Sequence, residues 1–429
     1  MSGAKLFNFV RQESTGNFKE VVPLATDGNI SDISNILFND AYQPLLNEFV
    51  NNLINRIGLT IIRNKSYDNP LALLKKGSTP LGTDIQDIYT NPSEAEQYEL
   101  SNTEMAKLLT ITDPDTKVAY YRRNRKDMYT KTIAREALQG AFVSWDRFEN
   151  FISSITQSLY SGAYIDEFAY TKGLVAGAYE NNKAIVQTVT AVTTEATAKA
   201  FVKKVRNLYK SMRFPSSAYN AYSLNTGDNK PVVTWTTPER VVFLVRADVM
   251  TEVDVDVLAS AFNMDKADFL GRVIEVDKFD DDNKVLGVIC DEAFFQIYDN
   301  IFRFDEFYNA RTMSWNEYLH VWETFAICPF ANAVILATEA PSVDATDVEA
   351  SESSVSVKAG ATVTVPLTVT PPNATSAITA SSSAEGKATV TISGRNAVIT
   401  GVEAGSATIT VTCNSHTDTI SVTVTSASE

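Results

Sequence analysis

Few residues of this sequence combine a reactive side chain with a useful spacing. Its two histidines, His320 and His416, fall in segments of different character: His320 alternates with Leu319 and Val321, as on a strand, and His416 sits in a Ser/Thr-rich turn. A Cys/His nucleophile or a zinc site needs partner ligands close at hand, and the neighbouring sequence supplies none to either histidine. His320 therefore reads as a structural or interface residue. Cys290, Cys328 and Cys413 make no C-x-x-C pair, and an odd number of thiols cannot close completely into disulfides within one chain. They are expected to stay reduced, in a protein made in a reducing cytosol. Carboxylates recur at Asp254 and Asp256 and again at 280–282, where acid/base chemistry is conceivable. The first pair better suits a helix cap; the second suits a hairpin turn and lacks the glycine of a calcium loop. The phosphate loop G-x-x-x-x-G-K-S/T, the G-x-S-x-G elbow and H-E-x-x-H are all missing. No catalytic, cofactor-binding or metal-binding residue is assigned, and the chain is not expected to be an enzyme.

The elements that would position any site belong to two kinds of core. At 429 residues the chain is long enough for two or three domains. Its 22 Phe, 17 Tyr and 4 Trp all occur at or before Phe330, so the remainder must pack without aromatic rings. Residues 338–352, TEAPSVDATDVEASE, are acidic and rich in small residues, as expected of an exposed linker. Beyond them, at 353–429, TVTVPLTV (362–369) places Val363, Val365, Leu367 and Val369 on one strand face, with Pro366 suggesting an edge strand or a bulge. KATVTI (387–392), NAVITGV (396–402), SATITVT (406–412) and TISVTV (419–424) follow at short intervals, the pattern of a small β-sandwich packed by aliphatics.

Before the linker, helices and strands mix without the regular alternation of a βαβ fold. Residues 44–57 put Leu45, Leu46, Phe49, Val50, Leu53, Ile54 and Ile57 at helical spacing, so 1–57 is read as an arm followed by a helix. Residues 58–131 carry little helical pattern and return through VAYYRRN (118–124), which predicts an extended two-stranded arm. Residues 132–337 open with the clearest helix, capped by Ser144 and carrying Trp145, Phe148, Phe151, Ile152, Ile155 and Leu159, with a break expected near Gly162. A basic helix at 201–212, a strand at 241–245, a helix at 254–264, strands at 273–276 and 285–290 joined by a turn at 280–283, and a last strand at 318–327 complete the α+β part.

This order resembles the capsid fold shared by tailed double-stranded DNA phages and herpesviruses: N-terminal arm, extended loop, spine helix, central domain. The resemblance to the major capsid proteins of small short-tailed phages of the Picovirinae type extends into local sequence. It is carried by FKEVVPLAT (18–26), RIGLTIIR (56–63), NPLALLKKGSTPLGTDIQDIYT (69–90), AFVSWDRFENFISSI (141–155), DVDVLASAFNMDKADFLGRV (254–273) and YLHVWETF (318–325) followed by FANAV (330–334). AVITGVEAGSATITV around 398–411 resembles bacterial immunoglobulin-like domains of group two, in which a hairpin turning at Gly405 joins the last strands; Ala380 stands where that family has a Trp. The resemblance implies a shell subunit that assembles with itself into pentamers and hexamers around packaged double-stranded DNA. It also implies scaffold and portal partners, assembly in the host cytoplasm and residence in the virion. A 70-residue arm without a core of its own is then expected to gain its contacts on a neighbouring copy.

Two basic clusters acquire candidate roles in such a subunit. Arg122, Arg123, Arg125 and Lys126, where the arm returns, are candidate inter-subunit contacts to acidic residues of a neighbour, the alternative being a solvated turn. Lys203, Lys204 and Arg206 on the basic helix are candidate DNA-facing residues, the alternative being a solvated face. With 37 basic against 52 acidic residues and a net charge of -15, contact with DNA is expected to be local and weak. The apolar run at 6–10 is too short for a signal-peptide core, and no stretch approaches a membrane span, so neither export nor membrane insertion is expected. For the outer domain a structural role competes with binding of host carbohydrate. The rival for the whole chain is a surface or tail-associated adhesin, against which the missing signal sequence speaks.

Overall fold

The computed structural model describes residues 3–60, 67–93, 95, 113–222, 224, 231–253 and 273–426. The chain divides into two units, one made of Met1–Gln86, Tyr120–Thr171 and Phe295–Ala326, the other of Asp87–Ala119, Lys172–Phe294 and Ile327–Glu429.

In the first unit, helices α1 (Gly3–Glu13), α2 (Gly16–Val21), α3 (Ile30–Leu37) and α4 (Gln43–Thr60) present their apolar faces to one core. Phe49 of α4 lies 5.0 Å from Phe7 and 5.8 Å from Phe142, ring centre to ring centre, so the helical spacing read from the sequence is realised as aromatic packing. Thr15 caps α2 by accepting from Phe18 N, and Glu48 of α4 accepts in turn from Thr15 N at 2.5 Å and Oγ1 at 3.0 Å. A four-stranded sheet completes the unit in the order β1 (Lys75–Ser78), β9 (Phe295–Asn309), β10 (Ser314–Ile327), β4 (Arg125–Ala134). The long strand β9 has no counterpart in the sequence reading, because its burial does not alternate regularly. After β4 come α5 (Arg135–Ala141) and the 36-residue α6 (Trp145–Glu180). The break expected at Gly162 does not occur. A Cβ there would stand 3.4 Å from Tyr129 Cδ1, so the glycine makes room for a ring instead of bending the helix.

Among the described residues the expected two-stranded arm narrows to β2 (Ile85–Thr90) and β3 (Thr116–Tyr121), because β1 and β4 on its flanks pair into the four-stranded sheet. β1 runs parallel to β9, and β4 is antiparallel to β10 over its whole length.

In the second unit a five-stranded sheet has the order β5 (Ile185–Thr188), β11 (Ala333–Ala337), β8 (Val285–Asp291), β6 (Val241–Arg246), β7 (Val273–Val276). All seven residues of β8 are buried, as its central place requires. Because β6 lies between β7 and β8, the expected hairpin at 280–283 is a crossover connection instead. Asp280 still orders its turn, accepting from Lys284 N at 2.8 Å and Val285 N at 3.2 Å. The basic helix is longer than expected, running as α7 (Glu195–Ser211) from a Thr194 cap, and buries Phe201, Val205 and Leu208 against this sheet. Ala247–Glu252 forms a short α8. The helix expected at 254–264, with Asp254 and Asp256, lies outside the described residues.

The outer domain is a sandwich of two four-stranded sheets, β12 (Asp347–Ala350), β14 (Thr362–Thr370), β17 (Asn396–Gly401), β16 (Ala388–Ser393), and β13 (Ser354–Lys358), β19 (His416–Thr425), β18 (Gly405–Cys413), β15 (Ile378–Ser382). Its core is aliphatic apart from Cys413, with Val365, Ile399, Ile409, Val411 and Ile420 fully buried. Three departures from expectation have local causes. The presumed linker contains β12, which pairs with β14 from Asp347 opposite Thr370 to Ala350 opposite Leu367. Pro366 is neither at an edge nor in a bulge: β14 pairs with β17 up to Pro366 and with β12 from Leu367 on, so the proline marks the exchange of partners. Gly405 does not turn a hairpin, since β17 and β18 belong to different sheets. The last strands turn instead after Cys413, which pairs with His416.

Candidate assembly site

The basic cluster at the foot of the loop is drawn into the body of its own unit. Arg125 and Glu323 are opposite residues of β4 and β10 and form a buried ion pair. The Arg125 guanidinium also donates to Asp127 at 2.6 Å, Tyr129 Oη at 2.7 Å and Ala163 O at 3.2 Å, tying β4 to α6. On the other side of the same carboxylate, Lys75 Nζ lies 2.8 Å from Glu323, 2.8 Å from Glu167 and 2.7 Å from Asp299. One lysine thus joins β1, β9, β10 and α6. Burial works against the Lys75 ammonium, but the Glu323 charge and the bonds to Asp299 and Glu167 outweigh it and raise its pKa. Asn69 donates to Glu167 at 2.8 Å, and Tyr129 donates to Asp166 at 2.6 Å. Burial and the Asp166 bond push the Tyr129 phenol above its usual range.

The other members of the cluster are spent close by. Arg123 and Lys126 lie over the Trp322 ring, at 4.8 Å and 5.7 Å from its centre. Arg122 makes a bidentate bond to Asp84 and keeps 82% of its side-chain surface exposed. Arg125 as an inter-subunit contact is therefore corrected: its charge is neutralised inside the fold, because β4 and β10 place it against Glu323. Of the four, Arg122 and Lys126 are the exposed ones.

Sequence reasoning missed Lys75, Glu167, Asp299 and Glu323. A signal was present on β10, where Trp315, Glu317, Leu319, Val321 and Glu323 share the buried face and two glutamates interrupt an apolar series. The partner residues on β1, β9 and α6 carry no comparable mark.

The ribbon β2–β3 is amphipathic in an unusual sense. One face of each strand is half-buried, while Ile88 and Val118 on the opposite face are 57% and 43% exposed. Within the second unit the ribbon's first strand is anchored on its own chain: Tyr89 stacks on Phe330 at 5.6 Å and donates to Val233 O at 2.5 Å, and Asn91 accepts from Val233 N at 3.0 Å. Tyr89 and Asn91 of the expected arm thus have partners in their own unit.

On α7, Lys203 and Arg206 are exposed and Lys204 half-buried, on the side away from the Phe201, Val205, Leu208 face. The outer domain meets the five-stranded part through Asn182 Nδ2 donating to Asn373 O at 2.9 Å, a reciprocal bond from Asn373 to Asn181 O, and a Lys284–Glu339 ion pair at 3.2 Å. His320 Nε2 lies 3.7 Å from Asp305 Oδ2 on the exposed side of β10. Cys290, Cys328 and Cys413 are buried thiols. Among the described residues no three His, Cys, Asp or Glu side chains converge as a metal site, and no helix is long and apolar enough to cross a membrane.

Comparison with known proteins agrees with this architecture. A family model described as the Phi29-like phage major capsid protein matches residues 7–337, and one described as the bacterial Ig-like domain (group 2) matches 344–424. The major capsid protein of Bacillus phage PZA is 37% identical over 331 residues, covering 77% of this chain and 71% of the relative. That of Bacillus phage B103 is 35% identical over 361 residues, covering 83% and 77%. In the capsid structure of Staphylococcus phage Andhra, a chain superimposes with a TM-score of 0.54 at 14% identity, over 65% of this chain and 86% of that one, a likeness of fold.

Proposed function

Because the chain belongs to the Phi29-like phage major capsid protein family and is a subunit of the capsid shell, we propose how it builds that shell and what the shell contains. The shell is icosahedral, made of pentamers and hexamers of this chain around double-stranded DNA, and is assembled in the host cytoplasm with a scaffold and a portal protein. Residues 58–131 act as the loop that reaches a neighbour, 132–337 as spine and central body, and 353–429 as an outer domain that stabilises the capsomer. The subunit works by non-covalent contact and has no catalytic step.

The observation that carries this reading is the exposed apolar stripe on the ribbon. Ile88 and Val118 lie on a two-stranded element whose other face already has its contacts, and large side chains left in water on a narrow ribbon favour a partner surface. A second copy is the partner that a shell subunit meets on every side, and a head-to-tail contact of this kind repeats until it closes. Arg122 at the ribbon's base supplies a charge that Asp84 neutralises when no neighbour is present. The Lys203, Lys204 and Arg206 face of α7 supplies local, weak contact to DNA phosphates.

Electron microscopy of the purified chain, with and without its scaffold protein, tests the reading. The unaltered chain forms closed shells, and a chain carrying Ile88→Ser and Val118→Ser keeps its circular dichroism but stays unassembled. Shells formed equally well by that variant would remove the ribbon from the mechanism.

A further inference from the structure

The adjacent strands β9 and β10 carry two glutamates that their surroundings do not explain. Glu317 shares its strand face with Trp315 and Leu319, which are core residues, and is itself 0% exposed. Neither of its carboxylate oxygens has a hydrogen-bond partner, and neither does Oε2 of Glu306 on β9. Asn51 of α4 bonds Glu306. Phe304 and Tyr308, which flank Glu306 on β9, pack against the same aromatic core that holds Trp315. Glu306 keeps part of its surface in water, but Glu317 beside it lacks both solvation and counter-charge, so the stable form of the pair retains a proton.

Several other charged groups on the packed elements are committed elsewhere or face water. Lys131 stands opposite Glu317 in the β4–β10 register, but its side chain is exposed. Glu48 of α4 is held by Thr15, and Arg135 by Phe38 O and Asp40. Asp146 and Arg147 of α6 are exposed. Along β10, Glu323 is taken by Arg125 and Lys75, and His320 faces Asp305 on the outer side.

We propose that Glu306 and Glu317 form a proton-operated latch: while the pair keeps its protons the β9–β10 strands stay packed against α4, and when both ionise their repulsion loosens this hairpin. Burial pushes the Glu317 carboxyl up to about 8, with the Glu306 charge adding to it, and burial pushes Glu306 up to about 7 against the Asn51 bond. The latch therefore opens on the alkaline side of neutrality. A subunit whose hairpin is tight in acid and slack in mild alkali has a solution-controlled rigidity that no contact with a neighbour has to supply.

Hydrogen–deuterium exchange of the intact chain at pH 6 and pH 9, corrected for the intrinsic effect of pH, reads the latch directly. Amides at 304–319 exchange about ten-fold faster at pH 9, the effect of roughly one pK unit of lost protection, while the outer domain does not change. Glu317→Gln keeps the pH 6 protection and loses most of the increase. Infrared difference spectra of the unaltered chain check protonation without any substitution, through a buried carboxylic-acid band present at pH 6 and gone at pH 9. Exchange at 304–319 that is the same at both pH values, an increase retained in full by Glu317→Gln, or no acid band at pH 6 would each overturn the proposal.

Discussion

Arg125 and Glu323 stand opposite one another across the β4–β10 ladder, and each side chain of the ion pair they form is 1% exposed. A charge pair so thoroughly removed from water is held among other polar groups: Asp127, Tyr129 and Ala163 accept from or face the guanidinium, and the Lys75 ammonium lies 2.8 Å from the second carboxylate oxygen. The arrangement makes the root of the extended loop a rigid joint between β1, β4, β10 and α6.

Truncating one partner leaves the other as an uncompensated buried charge. Arg125→Met is expected to destabilise the unassembled chain by about 3–5 kcal/mol, whereas Arg122→Met, which breaks an exposed pair, leaves stability nearly unchanged. Urea denaturation followed by tryptophan fluorescence compares the two. Equal midpoints would show that Arg125 is not the joint described.

The buried glutamate makes stability depend on pH with a definite sign. In the unfolded chain Glu317 titrates at about 4.5 and in the fold at about 8. The folded state therefore holds more protons across that window, and this group's contribution to stability is complete below pH 4.5 and lost progressively as pH rises to 8. The slope from this group approaches 1.4 kcal/mol per pH unit at most. Glu317→Gln flattens the profile; denaturant midpoints measured from pH 5 to pH 8.5 that fall just as steeply in the variant would contradict the assignment.

The exposed cations of α7 are testable apart from the fold, because they lie off its buried face. Replacing Lys203, Lys204 and Arg206 by Glu should leave shell formation intact and lower the amount of DNA retained per particle, with the deficit shrinking in high salt as phosphate contacts are screened. Particles holding the same DNA as the unaltered shell at every salt concentration would mark the face as merely solvated.

Removing residues 341–429 deletes the sandwich together with Asn373, whose bonds to Asn181 and Asn182 link it to the five-stranded part. Shells of the shortened chain are expected to assemble but to melt at lower temperature. Unchanged melting accompanied by reduced adsorption to host cells would make the outer domain an adhesive one.

Much of the architecture was legible because its signals are local. Leu45, Phe49, Val50 and Leu53 mark α4 by spacing, Ser144 and the apolar series after it mark α6, and alternating valines mark β14. The errors share a different origin. Local backbone limits make Pro366 an edge or bulge residue, yet its place depends on which neighbour β14 has at that residue. Gly405 has the local character of a turn, yet β18 begins there and β17 lies in the other sheet. Gly162 has the local character of a break, yet the space it leaves is filled by Tyr129, far away in the chain. Arg125 belongs by sequence with its three basic neighbours, although alternation along β4 sends it inward.

By itself the sequence determined the kinds of element, the change from aromatic to aliphatic core after Phe330, and the family, since periodicity and residue order are properties of neighbouring positions. Only the tertiary structure decided that β6 separates β8 from β7, that Lys75 and Arg125 converge on Glu323, and that Glu306 and Glu317 meet without a counter-charge. Those facts arise from strand order and register between distant segments, and burial then sets whether a charge is solvated, paired or obliged to hold a proton.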